Sequence, residues 1–206
     1  LFISANTFSI VSKNILSCVT CFAFLYSSKI DSFNYNDCPG HPVWLEPCEW
    51  LCSKITQQYP LHLITNQPKT RLHSQYDNGG YSRESKIKGR EPMCINPKNA
   101  AERGILDGDI IKIFNDRGSC LAGAIITEDV MPDVVQISTG AWYDPLIPGE
   151  AGSLEVHGNP NVLTIDKGTS KLAQGPSAMS ALVEVELFNG NLPPIKIFTP
   201  PEVERE

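Results

Sequence analysis

The stretch NPKNAAERGILDGDIIKIFNDRGSCLAGAIITEDVMPDVVQIS, residues 96–138, decides the fold. Asn96 suits a helix N-cap with Pro97 at the first helical position, and Gly104 closes a helix that Ala100 and Ala101 sustain for barely two turns. Ile110 to Phe114 then reads as a strand, Asn115 to Gly118 as a hairpin turn and Leu121 to Thr127 as the returning strand. Met131-Pro132-Asp133 turns the chain into a third strand, Val134 to Ser138.

Working outward, Leu61 to Thr65 has the character of a buried strand ended by Asn66-Gln67-Pro68, and Ala181 to Phe188 alternates apolar residues with acids as a late strand does. The 16 prolines and 15 glycines favour short elements joined by tight turns over long helices. These signals together predict a mainly-β closed barrel with small helices at its mouths. Residues 34–48 hold three prolines and read as an extended connection, with a short helix expected from Glu49 to Lys54. The polar run from Asn66 to Arg90 reads as a long loop, and loops of that length in a compact domain are usually functional or mobile.

Composition narrows the function. With 41% hydrophobic and 19% charged residues the chain is an ordinary globular one, neither disordered nor fibrous. A net charge of −6 speaks against nucleic acid as a partner. Lys69 to Arg90 is the exception, with six basic residues and two acids, a local +4 that leaves −10 for the rest and suggests a confined anionic ligand. The seven cysteines do not form a secreted disulfide framework. Cys18, Cys21, Cys48 and Cys52 could supply thiolates to zinc, but no turn glycine follows either pair and Cys48 and Cys52 would share one helix face, so no metal site is expected. The apolar run Ile15 to Tyr26 is too short to span a bilayer, and no membrane association is expected.

Three segments carry more polar chemistry than a packed barrel needs: Thr65 to Gln75, His157 to Asn161, and Leu172 to Ser177. Each couples side-chain amides to Gly or Pro, a combination that fixes backbone and aims donors outward. A heterocycle joined to phosphate uses such groups, Arg71 for phosphate and Asn or Gln for ring edges. Turn formation alone is the plainer reading of any one of them. No nucleophile, acid pair or base arrangement is evident around His73 or His157, so no catalytic residue is assigned.

Ordered strings extend the comparison over much of the chain: RLHSQ at 71–75, GILDGD at 104–109, NDRG at 115–118, GAWYDP at 140–145, and GNPNVLT followed by GTS between Gly158 and Ser170. In these the chain resembles the C-terminal molybdopterin-dinucleotide-binding domain of the dimethyl sulfoxide reductase family, in the trimethylamine N-oxide and biotin sulfoxide reductase group. The resemblance implies a double-psi β-barrel of the aspartate-decarboxylase-like class over residues 59–190, approached by a connection at 26–58 and followed by a tail at 191–206. It implies a cofactor, bis(molybdopterin guanine dinucleotide) molybdenum, shared with upstream domains of a parent reductase of S-oxides or N-oxides. The contact positions fall on Thr65, Gln67, Arg71, His73, Ser74, Gln75, Asn159 and Gln174; family members often have His where this chain has Gln67. The metal ligand would come from an upstream domain, so the chain alone is expected to be an inactive fragment. The compartment is periplasmic or cytoplasmic in the resembling family. Leu1 to Leu25 matches nothing in it and is expected to be poorly integrated into the barrel. The alternative is a β-barrel that serves protein interaction without a cofactor, which does not require RLHSQ and GNPN in one chain.

Overall fold

The computed structural model describes residues 35–38, 44–172 and 174–200, so the expectation for Leu1 to Leu25 lies outside the described residues. Two units are distinguished, one of residues 1–46 with 167–176 and one of 47–166 with 177–206. In the first, the bridge between Gly168 and Pro176 and the bond from Thr169 N–H to the Gly175 carbonyl fold residues 168–176 into a closed loop.

The larger unit holds six strands: β1 Leu61–Ile64, β2 Pro92–Ile95, β3 Ile110–Asn115, β4 Gly118–Ile126, β5 Val134–Ile137 and β6 Ala181–Leu187. They close in the order β1-β5-β2-β4-β3-β6. The pairs β1–β5 and β2–β4 are parallel and the other four antiparallel, so the connections into the parallel pairs must cross the barrel ends. This is the expected fold class. Alternation puts Leu61, Leu63, Met93, Ile95, Ile111, Ile113, Val135, Ile137, Val183 and Val185 into one buried core. Ala122, Ala124 and Ala181 in the same core are small enough for the six walls to close on it. A second cluster, Ile110, Leu121 and Val156, covers the outside of β3 and β4 beneath Ile87, Leu154, Phe188 and Ile195.

The short helices are α1 Gly80–Glu84 and α2 Pro97–Glu102. The second is capped as its sequence reads, with the Asn96 side chain accepting from Lys98 N–H and Pro97 in the first turn. Two expectations fail. Glu49 to Lys54 is not a helix: residues 48–53 are bends and turns, and a 3₁₀ turn follows at Lys54–Gln57. Cys48 and Cys52 therefore share no helix face. The carboxylate of Glu49 is instead held by Arg117 of the β3–β4 hairpin at 2.5 and 2.9 Å and by Leu182 N–H at 2.9 Å. The run 66–90 is also not an unstructured loop, since it holds α1 and the tight bridges Leu72–Gln75 and Ile87–Arg90. Among the described residues no helix is long and apolar enough to cross a membrane.

Candidate functional site

Half of the six basic residues of 69–90 are spent inside the protein. Arg71 and Lys86 are buried with Asp77 and Glu91: Arg71 Nη2 lies 3.1 Å from Glu91 Oε1 and Nε 3.4 Å from Asp77 Oδ1, while Lys86 Nζ reaches Asp77 Oδ1 at 2.9 Å and Glu91 Oε2 at 2.7 Å. Two cations and two anions cancel. Burial raises the Asp77 carboxyl, but the Lys86 hydrogen bond, the Trp142 N–H and the charges of Lys86 and Arg71 outweigh it and hold the group below its ordinary value. Arg90 is buried as well and donates to the carbonyls of Lys88 and Pro193. Lys69, Arg83 and Lys88 stay exposed. Any anion would meet these three, whereas Arg71, read from the sequence as the phosphate donor, is spent on the protein itself. Its guanidinium also donates to Ser82 Oγ and to the carbonyls of His73 and Thr139.

What the ion cluster does is hold a loop by its backbone. Arg71 Nε donates to the His73 carbonyl at 3.1 Å, Trp142 Nε1 to the Ser74 carbonyl at 2.6 Å, and Trp142 N–H to Asp77 Oδ2 at 2.9 Å. Gly140 lies where the two segments cross, with φ +89°, and a Cβ there would meet the His73 carbonyl oxygen at 2.0 Å. His73 and Tyr76 are held in left-handed backbone, at φ 49° and 63°. The side chains point the other way. Leu72 is 60% and Tyr76 78% exposed, and the side chains of His73, Ser74 and Gln75, also exposed, make no hydrogen bond among the described residues. A crest pinned from beneath with free polar groups on top is preorganised for something outside it.

The second segment is gathered by one carboxylate. Glu155, fully buried, accepts from Asp144 N–H and His157 N–H at 3.1 Å each, from Gly158 N–H at 2.6 Å and from Asn159 N–H at 2.8 Å. Burial pushes its carboxyl up to about 7 against the pull of those four bonds. Gly158, at φ +105°, packs so close to Glu91 that a Cβ would fall 2.6 Å from the Glu91 Cβ. Asn159 is nearly buried and its Oδ1 caps the 3₁₀ turn Pro160–Val162. Its Nδ2 makes no hydrogen bond among the described residues. His157 Nδ1 lies 2.8 Å from the Trp142 carbonyl. A carbonyl only accepts, so Nδ1 carries the proton and Nε2 is an acceptor, buried without a partner. Burial and the Lys86 charge hold this imidazole below its ordinary value.

The two loops are thereby tied together. Trp142 binds both, and Glu91, which pairs with Arg71, donates its N–H to the His157 carbonyl at 2.9 Å. Thr65 and Gln67 follow β1 into the first loop: Thr65 Oγ1 touches Met179 Sδ at 3.3 Å, and Gln67 is exposed. A cavity of about 460 Å³ opens there, lined among others by Asn66, Lys69, Thr70, Gln136 and Ser138. Gln174 belongs to the other unit, where its Nε2 donates to the carbonyls of Ser170 and Lys171. Reading the sequence missed Asp77, Glu91, Trp142 and Glu155 as the residues that position the loops. The signal nearest to hand was Glu155, an acid between the apolar Leu154 and Val156.

Comparison with known proteins gives a consistent result. Residues 61–182 match the family model described as the molydopterin dinucleotide binding domain. The chain is 46% identical over 178 residues to the dimethyl sulfoxide/trimethylamine N-oxide reductase of Cereibacter sphaeroides, covering 86% of this chain and 22% of that protein. It is 48% identical over 170 residues to trimethylamine-N-oxide reductase 1 of Escherichia coli K12, covering 82% and 20%. Among solved structures, acetylene hydratase from Pelobacter acetylenicus superposes with a TM-score of 0.63 at 20% identity, over 80% of this chain and 23% of that one, a likeness of fold. The chain spans about a fifth of the length of the curated relatives it matches.

Proposed function

Because this chain belongs to the molydopterin dinucleotide binding domain family, and in particular to the kind found in dimethyl sulfoxide and trimethylamine N-oxide reductases, we propose that it caps a bis(molybdopterin guanine dinucleotide) cofactor in a reductase of S-oxides or N-oxides. The observation that carries this reading is the crest 72–76, whose backbone is fixed while its side-chain donors and acceptors stay free. A dinucleotide offers phosphates, ribose hydroxyls and a guanine edge, and the free groups suit it. His73, Ser74 and Gln75 supply donors and acceptors from the crest, Asn159 Nδ2 supplies a donor from the second loop, and Thr65 and Gln67 flank the cavity at the first. Lys69, exposed on that cavity and without an ion-pair partner among the described residues, is the cation available to phosphate. Arg71 acts through the crest as a positioning residue.

When bound, the cofactor supplies the oxygen-atom and two-electron chemistry. The residues of this chain bind it, orient it and keep water from one side of it. The metal ligand and substrate contacts belong to the rest of the parent enzyme. The test is a chimera in which residues 47–200 replace the matching part of the E. coli reductase, assayed for molybdenum and guanine nucleotide per polypeptide. Content equal to that of the parent supports the reading; a folded, soluble chimera without nucleotide overturns it. The 206-residue chain alone should reduce neither S-oxides nor N-oxides with a dye donor, and turnover by it would mean that the active site has been misplaced.

A further inference from the structure

We infer that the segment following β6 is a latch that sets the two ligand loops against each other, with Phe198 as its positioning residue and Asp144 as its anchor. The inference rests on the reading of those loops as the cofactor face. Among the described residues beyond Leu187 there is no strand, yet the segment is held at successive points. The carbonyl of Pro193 accepts from Arg90 Nη2. Ile195 packs into the outer cluster of Ile110, Leu121 and Val156. Lys196 N–H and Ile197 N–H both donate to Asp144 Oδ2, at 2.6 and 3.0 Å, and a turn closes with Thr199 N–H on the Lys196 carbonyl.

That anchoring delivers the Phe198 ring to one place. Its centroid is 5.0 Å from the His157 ring, edge-on at 89°, and 5.7 Å from the Trp142 ring, and the Arg83 guanidinium lies over it at 5.1 Å. The two rings it touches stand at the roots of the two loops. Trp142 holds the Ser74 carbonyl and Asp77, and His157 lies two residues before Asn159. The anchor is joined to the same assembly, since Asp144 N–H donates to Glu155, the carboxylate that gathers the second loop. A tail serving only to cover apolar surface would need Ile195 and nothing more. Here two backbone N–H groups and one ring are spent on residues that support both loops.

The test uses the full 206-residue chain and amide hydrogen exchange. The reporters are the hydrogen-bonded amides of Gln75, Trp142, His157, Gly158 and Asn159. Phe198→Ala should speed exchange at reporters of both loops by about tenfold, the factor that corresponds to losing aromatic contacts of this kind, while strand amides and the melting temperature hardly move. Phe198→Tyr should restore protection. Phe198→Leu, which keeps apolar burial without the ring, should loosen the loops and guards against a folding defect in the alanine variant. Exchange that rises only at residues 196–200 overturns the latch, as does an equal rise over every strand. Because this measurement is made without cofactor, it fails or succeeds apart from the cofactor reading. If Phe198→Ala loosens both loops yet the chimera carrying it keeps full guanine nucleotide, the latch stands and the assignment of the loops falls.

Discussion

The loops at 71–77 and 155–159 lie at the same site and are held by opposite means. The first is fixed by side chains: Arg71, Asp77, Lys86 and Glu91 cancel one another's charge in a buried cluster, and their leftover hydrogen bonds seize backbone carbonyls. The second is fixed by backbone: four N–H groups converge on the single carboxylate of Glu155. In the first case the protein supplies donors to the loop's carbonyls, in the second an acceptor to the loop's amides. The first leaves the side chains of His73, Ser74 and Gln75 without hydrogen bonds among the described residues, and the second leaves Asn159 Nδ2 without one. The difference lies in what each assembly does when one member is lost or titrated.

The largest effect should come from breaking the cluster. Arg71→Met leaves Asp77 and Glu91 buried against Lys86 alone, and removing one partner of such a buried network costs about 3–5 kcal/mol. Thermal or urea unfolding should register that loss. A variant within experimental error of wild type would mean that the cluster is not the support described. Glu155→Gln comes next, at about 1–3 kcal/mol, because the amide –NH₂ would face N–H groups that had an oxygen as acceptor. Its damage should be local. Exchange at Gly158 and Asn159 should quicken while Gln75 keeps its protection, and the two loops responding alike would erase the distinction drawn between them.

The smallest effect is in pH, where the loops differ in sign. Glu155 has a folded value of about 7, above the ordinary 4.5, so its contribution is fully present below about 4.5 and is lost as pH rises toward 7. Asp77 is held below its ordinary 3.8, so its contribution is present above that value and is lost as pH falls through the lowered one. His157, depressed below 6.5, opposes Glu155 over part of the same window. The difference in stability between wild type and Glu155→Gln, followed from pH 4.5 to 7, isolates the carboxyl and should shrink as pH rises. A flat difference curve would contradict the burial argument.

The barrel was legible because its strands alternate and its turns use the residues those turns demand; Ile110–Asn115, Gly118–Ile126 and Val134–Ile137 lie within a few residues of where the sequence placed them. The strand Pro92–Ile95 was not, since four residues opening on proline give no period to read. Of the candidate residues, the polar string His73 to Gln75 could be singled out because nothing in a strand or helix needs it. The role of Arg71 could not. An arginine beside a ligand and one that positions a loop from below have the same letters, and only the fold brings Asp77, Lys86 and Glu91 to it. The latch at Phe198 is hidden for the same reason, its ring partners lying tens of residues away in sequence; the bonds of Glu155 are more local, but no letter shows that four N–H groups turn onto it.

The central claim is that the polar groups the two loops leave without a protein partner serve a dinucleotide and not the barrel. The direct measurement is guanine nucleotide content beside melting temperature for the chimera carrying His73→Ala and Asn159→Ala together. The account predicts a severalfold fall in nucleotide while the melting temperature drops only by what loss of the Asn159 cap entails, about 1 kcal/mol. Full nucleotide content in that double variant would contradict it.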